Sequence, residues 1–249
     1  MRIMIFKTEG EVDEYVGKHI INFVSQHESP VIGFATGNTP LGLYQYMIEA
    51  FQNGTVDFSK MKAFNLDEYV GIEKTHPLSF ASAMKKNLFD YINILPEYIF
   101  SLDGAASDKN EECLQYDVMI QNNPIDIQIL GIGMDGHIAY NEPGSPFDGG
   151  SHVVTLQEES RQSCLDYGFE NIDDVPREGM SQGIGTIMQS KQLIMIAKGS
   201  KKASLVKRML EGQVSEDFPS SIIQKHPNVI VVLDQEAAKE LKERSSWKD

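Results

Sequence analysis

Short apolar runs alternating with amphipathic runs of helical length predict an α/β protein. Its architecture is a modified Rossmann-like, open and mostly parallel sheet with helices on both faces. Two observations carry this prediction. Residues 31–35 are short and continuously apolar, and 126–130 read as a buried strand with Ile127, Ile129 and Leu130, as strands covered on both faces require. The segments between the strand-like runs are long enough for crossover helices, which parallel neighbours require. No internal repeat, low-complexity tract or Pro/Ser-rich linker interrupts the alternation, so residues 1–249 read as a single domain.

In chain order, residues 2–6 are expected as a strand, 11–26 as an amphipathic helix and 31–35 as a buried strand. A helix follows over 40–51, opened by Pro40, whose fixed φ suits the first helical position. Residues 61–66 form a strand, 78–91 a helix, 98–102 a short strand and 108–121 a helix leading into the 126–130 strand. Later strands fall at 152–156, 193–197 and 229–233. Later helices fall at 158–167, 181–189, 201–210 and 235–244, with Ser200 as an N-cap candidate before the third. In open sheets of this kind ligands bind at the carboxyl ends of the strands. The loops after residues 35, 66 and 130 therefore share one rim.

Composition excludes several classes. A formal charge of −14 leaves no basic face for nucleic acid, so an anionic partner must be small and held by a local cradle. No run of about 18 apolar residues and no charged-then-apolar leader is present, so neither membrane insertion nor export is expected. Cys113 and Cys164 lack metal-ligand spacing and read as thiols of a reducing cytoplasm.

The most informative segment is Gly133-Met-Asp-Gly-His-Ile-Ala139, which places Asp135 and His137 two apart, with Glu142 shortly after. Carboxylates flanking an imidazole fix its tautomer and tune its basicity near neutral pH; the alternative is a structural histidine at a strand end. Gly131, Gly133 and Gly136 also match Gly-x-Gly-x-x-Gly, but a dinucleotide site needs those glycines to open a long helix. Pro143 and Gly144 forbid one, so the glycines instead permit close backbone packing around His137.

Two more rim loops carry chemistry. Thr36-Gly37-Asn38-Thr39-Pro40 offers hydroxyls, a turn and a helix N-terminus, which together make either a phosphate site or simply a well-capped helix start. In Asn65-Leu66-Asp67-Glu68-Tyr69 the two acids point opposite ways along a strand, so only one can face a cleft. A shielded carboxylate there has a raised pKa and can take a carbon-bound proton; the alternative is a solvated surface pair. Lys202, in the first turn of its expected helix, is unfavourable for the helix dipole unless an anion or solvent is near. His137 and Glu142 could start a metal site, but no third ligand with sensible spacing accompanies them.

The motifs at 36–40, 65–69, 130–138 (Leu-Gly-Ile-Gly-x-x-Gly-His-Ile) and 141–144 (Asn-Glu-Pro-Gly), together with 211–220, resemble the glucosamine-6-phosphate deaminase family over nearly the whole chain. The resemblance implies an enzyme that opens an amino-sugar 6-phosphate, shifts it from aldose to ketose and releases ammonia, without metal or organic cofactor. By the same resemblance Asp67 is the base acting between C2 and C1, and His137 assists ring opening, oriented by Asp135 and Glu142. Thr36, Gly37, Asn38, Thr39 and Lys202 match phosphate-binding positions. Two departures stand out. The position where the family carries a phosphate-clamping arginine holds Asp166, with Arg161 on another helix face and Arg177 or Arg208 as replacements from other segments. This keeps a galactosamine-6-phosphate isomerase/deaminase as an alternative. The basic pair of allosteric hexameric members is replaced by His152 and Val154, and the chain ends soon after Trp247. Non-cooperative kinetics and a monomer or small homo-oligomer are the expectation. A 6-phosphogluconolactonase-like hydrolase is a more distant alternative. A sugar-phosphate sensor fused to a DNA-binding segment is disfavoured, since the first strand starts at once.

Overall fold

Among the described residues ten strands form in two sheets: Arg2–Phe6 (β1), Val31–Phe34 (β2), Lys62–Asn65 (β3), Asp67–Tyr69 (β4), Ile99–Phe100 (β5), Ile127–Leu130 (β6), His152–Thr155 (β7), Glu178–Ser181 (β8), Gln192–Ala197 (β9) and Val229–Asp234 (β10). These come from a computed structural model, which describes residues 1–242 without the side chains of Glu159, Ser163 and Asp166. The larger sheet runs β1-β10-β9-β6-β2-β3-β5, and every neighbouring pair is parallel. All side chains of β2, β6 and β10 are buried, as expected of strands covered on both faces. After β2 the chain builds outward through β3 and β5, then returns to place β6 on the other side of β2. The crevice at the carboxyl ends of β2 and β6 is therefore the topological switch point, where such sheets bind ligands.

Helices Glu9–Gln26 (α1), Leu41–Gln52 (α2), Phe80–Asn87 (α3), Lys109–Asn122 (α4), Glu158–Cys164 (α5), Ile184–Ile187 (α6), Ala203–Glu211 (α7) and Gln235–Ala238 (α8) complete the described residues. The first helix starts two residues before its expected position. Thr8 and Glu11 form a reciprocal capping box, Thr8 Oγ1 accepting from the Glu11 amide at 3.2 Å and Glu11 Oε2 from the Thr8 amide at 3.1 Å. The expected 78–91 helix is shortened to α3 and followed by a separate 3₁₀ turn at Phe89–Tyr91, because Leu88 (φ −145°) leaves the helical region. Positions 243–244 of the expected last helix, and Trp247, lie outside the described residues.

The larger correction concerns the second sheet, an antiparallel trio in the order β4-β8-β7. Residues 152–156 do give a strand, but it joins this small sheet rather than the parallel one. The expected helix over 181–189 is replaced by β8 and the single turn of α6. Local pattern failed here because glycine answers a tertiary demand. A Cβ on Gly183 would sit 2.0 Å from the carbonyl oxygen of Gly150, so the chain passes directly against the 149–150 backbone. β4 was also unforeseen; it extends the β3 loop over the carboxyl end of the parallel sheet and pairs Asp67 with Ser181.

Candidate active site

Pairing with β8 settles which acid faces the crevice. Glu68 is wholly buried away from it. Its Oε1 accepts from the amides of Tyr69 and Phe80 and its Oε2 from that of Ala81, all at 2.9 Å, so it closes the N-terminus of α3. Burial raises its pKa and the three amides pull it back. Replacing Glu68 with Gln substitutes an N–H group for one acceptor opposite these donors. A loss of about 2–3 kcal/mol in chemical denaturation is the expected result.

Asp67 points the other way, into a cavity of about 190 Å³ that also receives His137, Lys202 and the 36–40 loop. Only 7% of Asp67 is exposed, and Thr36 Oγ1 of the loop donates to its Oδ1 at 3.5 Å. Burial, and then the charge of Glu68, push its carboxyl up to about 7, against the opposing influence of His137 and Thr36. A carboxylate that ionises near neutrality in a water-poor site is matched to proton abstraction.

His137 lies across the cavity on the loop after β6. Its Nδ1 is 2.7 Å from Asp135 Oδ1 and 3.7 Å from Glu142 Oε2. Asp135 Oδ1 also accepts from the His137 amide at 3.0 Å, and the Gly133 amide donates to the His137 carbonyl at 2.9 Å, so backbone and ring are fixed together. Burial works against the imidazolium, but Asp135 outweighs it, aided by Glu142 and Asp67, and the His137 pKa is raised. Burial likewise opposes the charge on Asp135, yet the His137 contact holds that carboxyl well below the carboxylate range. Glu142 is shifted upward, first by burial and then by Asp135. It is held by Ser160, whose hydroxyl donates to Oε1 at 2.7 Å. Ser160 was not foreseen, because nothing in sequence connects a serine on α5 with the Asn-Glu-Pro-Gly turn.

Two of the three glycines act as the spacing suggested, whereas a Cβ on Gly131 would meet nothing within 4 Å. A Cβ on Gly133 would fall 2.3 Å from the His137 ring, and Gly136 (φ +94°) would meet the Phe218 ring at 2.1 Å. Gly133→Ala should therefore push the imidazole off Asp135. A lower His137 titration midpoint by NMR and at least a tenfold fall in turnover are expected.

At the anion end, Ala35 to Pro40 line the cavity and Gly37 takes φ +94°. Pro40 is the N-cap of α2, and no side chain caps the helix, which removes the well-capped alternative. The uncapped N-terminus of a twelve-residue helix at a cavity suits an anion. Lys202 closes the opposite side; its Nζ donates to the Ile132 carbonyl at 2.7 Å and lies 3.3 Å from Met134 Sδ. Burial lowers its pKa, against the charge of Asp135. Lys202 is the one lysine or arginine among the described residues that line the cavity. Arg161 instead donates to the carbonyls of Ile172 and Val175. Arg208 lies over the Phe218 ring at 4.2 Å from its centroid. Neither they nor Arg177 line the cavity. The side chain of Asp166 lies outside the described residues. Tyr167, Tyr140 and Cys164 complete the wall. Both cysteines are buried.

One expectation is corrected. A third donor does accompany His137 and Glu142: Asp135 offers an oxygen, and ligand atoms of the three lie within 4.8 Å of one another. The set could hold a cation, although the approach of His137 Nδ1 to Asp135 is also what a hydrogen-bonded acid–base histidine requires.

The model describing glucosamine-6-phosphate isomerases and 6-phosphogluconolactonases matches residues 8–232. The chain belongs to this family. Among its relatives is a Bacillus cereus glucosamine-6-phosphate deaminase, 43% identical over 237 residues, 95% of this chain and 88% of that protein. A Clostridium perfringens glucosamine-6-phosphate deaminase is 39% identical over 243 residues, covering 97% of this chain and all of that one. The structure of a monomeric glucosamine-6-phosphate deaminase superposes with a TM-score of 0.94 at 37% identity, over 96% of this chain and all of that one. A 6-phosphogluconolactonase from Trypanosoma brucei has a TM-score of 0.72 at 18% identity, covering 97% of this chain and 98% of that one, and shares the fold. The α/β architecture read from the sequence thus agrees with the family's. Among the described residues no helix is long and apolar enough to cross a membrane.

Proposed function

We propose that this enzyme of amino-sugar phosphate metabolism converts glucosamine 6-phosphate and water to fructose 6-phosphate and ammonia. The observation that carries the reading is the placement of two separate acid–base groups, Asp67 and His137, on one cavity with an anion-holding end. The 36–40 loop, the N-terminus of α2 and Lys202 bind the phosphate. His137, oriented by Asp135 and Glu142, takes the proton of the anomeric hydroxyl and returns one to the ring oxygen, giving the open-chain aldehyde. Asp67 then removes the C2 proton as the C1 oxygen gains one, forming an enolamine. The protonated Asp67 delivers its proton to C1, leaving an imine at C2; water adds there and ammonia departs. Every step is a ring opening, a proton transfer, a hydration or the loss of ammonia once the carbinolamine nitrogen is protonated and the C2 carbonyl forms, so Asp67 and His137 divide the chemistry without an organic cofactor.

The match across residues 8–232 supports one catalytic domain over 1–249, and the monomeric relative supports a monomer or small homo-oligomer. Glucosamine over galactosamine rests on the relatives' substrates. Ammonia release from glucosamine 6-phosphate and from galactosamine 6-phosphate, measured side by side with and without a chelator, tests the reading. A higher kcat/KM for the glucosamine epimer, unchanged by chelation, is expected. A preference for galactosamine 6-phosphate reverses the epimer. Loss of activity on chelation, restored by a divalent cation, makes Asp135, His137 and Glu142 a metal site. Release of acid from a 6-phosphogluconolactone in place of ammonia would overturn the assignment.

A further inference from the structure

Asp67 and Glu142 belong to different parts of the fold: one begins β4, the other lies within the loop between β6 and β7. The separation of Asp67 from the His137–Glu142 pair must be set by whatever lies between. Gln182, just past β8, touches both sides and is wholly buried. Its amide donates to the Leu66 carbonyl at 2.8 Å and its side-chain Nε2 to the Asn65 carbonyl at 3.0 Å, fixing the backbone immediately before Asp67. Its carbonyl accepts from Asn141 Nδ2 at 2.8 Å, immediately before Glu142. Asn141 Nδ2 also donates to the Ile138 carbonyl at 2.9 Å, closing the turn that holds Ala139 at φ +50°. Ser181 reinforces the joint, its hydroxyl accepting from the Tyr140 amide at 3.1 Å and donating to the Gln182 carbonyl at 3.0 Å.

Among the described residues Gln182 Oε1 and Asn141 Oδ1 are buried with no protein hydrogen-bond partner, a desolvation cost set against the bonds their N–H groups donate to the Asn65, Ile138 and Gln182 carbonyls. What amides provide and methyl groups do not is directional register between two segments. We propose that Asn141 and Gln182 are positioning residues that fix the distance between Asp67 and the His137–Glu142 pair. The proposal rests on the deaminase reading for its kinetic consequences and not for its geometry.

Gln182→Met keeps the volume and removes the Nε2 donor, while Ser181→Ala cuts the link to the Tyr140 amide and leaves Gln182 in place. Assayed for ammonia release from glucosamine 6-phosphate well below their melting temperatures, both should lose about tenfold or more in kcat with KM within about twofold. In the Asp67→Asn background Gln182→Met should cause little further loss, since the group it positions is already gone. Titration of the Asp67 carboxyl by ¹³C NMR gives a readout independent of turnover. Its midpoint should fall toward the ordinary aspartate range in Gln182→Met as the strand loosens and water enters. A lowered melting temperature with unchanged kcat and an unmoved Asp67 midpoint would overturn the proposal, as would full additivity with Asp67→Asn. Wild-type protein that releases no ammonia refutes the function instead, and the carboxyl titration still decides the positioning role.

Discussion

Asp67→Asn is expected to reduce kcat by about 10²–10⁴-fold with KM nearly unchanged, because the amide fills the same space but cannot accept the C2 proton. The pH profile supplies an independent check. Burial and Glu68 place the ionisation of Asp67 near 7, so kcat/KM of the wild type should rise with pH through about 7 as the base form accumulates. Whatever activity Asp67→Asn retains should lack the Asp67 component of that limb. Stability should move the opposite way from activity. The folded-state pKa of this acid lies above its unfolded value, so the unfolded chain releases the proton first as pH rises. The cost to the native state is absent below about pH 4, grows through about 7 and is complete above it, reaching at most about 4 kcal/mol. Asp67→Asn removes that cost, and its melting temperature should exceed wild type at pH 8 and match it at pH 4. Equal melting temperatures at pH 8 would show that Asp67 is not held desolvated.

His137→Asn should also cost about 10²–10⁴-fold in kcat/KM, by a different route. The substrate is predominantly a closed ring, and without the imidazole ring opening becomes the slow step. Substrate deuterated at C2 separates the two roles: its primary isotope effect should shrink toward unity in His137→Asn. An isotope effect as large as in wild type would place His137 in the isomerisation rather than before it. The imidazole's raised pKa depends on Asp135 more than on Glu142, so Asp135→Asn should lower the His137 titration midpoint more than Glu142→Gln does.

Much of the parallel sheet was legible because strands buried on both faces need mostly apolar runs, continuous in β2 and in β10 up to Asp234 and interrupted in β6 only by Gln128. The small antiparallel sheet was not. β4 is three residues long, and β8 contains Glu178 and Gly179, so neither has enough alternation to declare itself. The alternation rule nevertheless separated Asp67 from Glu68 correctly, because opposite faces follow from strand geometry whichever sheet the strand joins. The reading of the 133–139 glycines also held, since Gly133 and Gly136 lie where a Cβ would strike His137 and Phe218. Arg161 and Arg208 could not be placed in advance, because a long cation reaches carbonyls or an aromatic face that only the folded chain brings near.

By itself the sequence determined the alternation of strands and helices, the rim at the strand ends and the residue types able to hold a phosphate and move protons. Those follow from local periodicity, backbone restriction and side-chain chemistry, which neighbours along the chain already specify. Tertiary structure alone decided that Asp67 and His137 share one cavity, that Glu68 closes a helix instead, that Ser160 holds Glu142, and that Gln182 joins the two halves. These depend on contacts between segments far apart in the chain, and on a desolvation that no single segment creates.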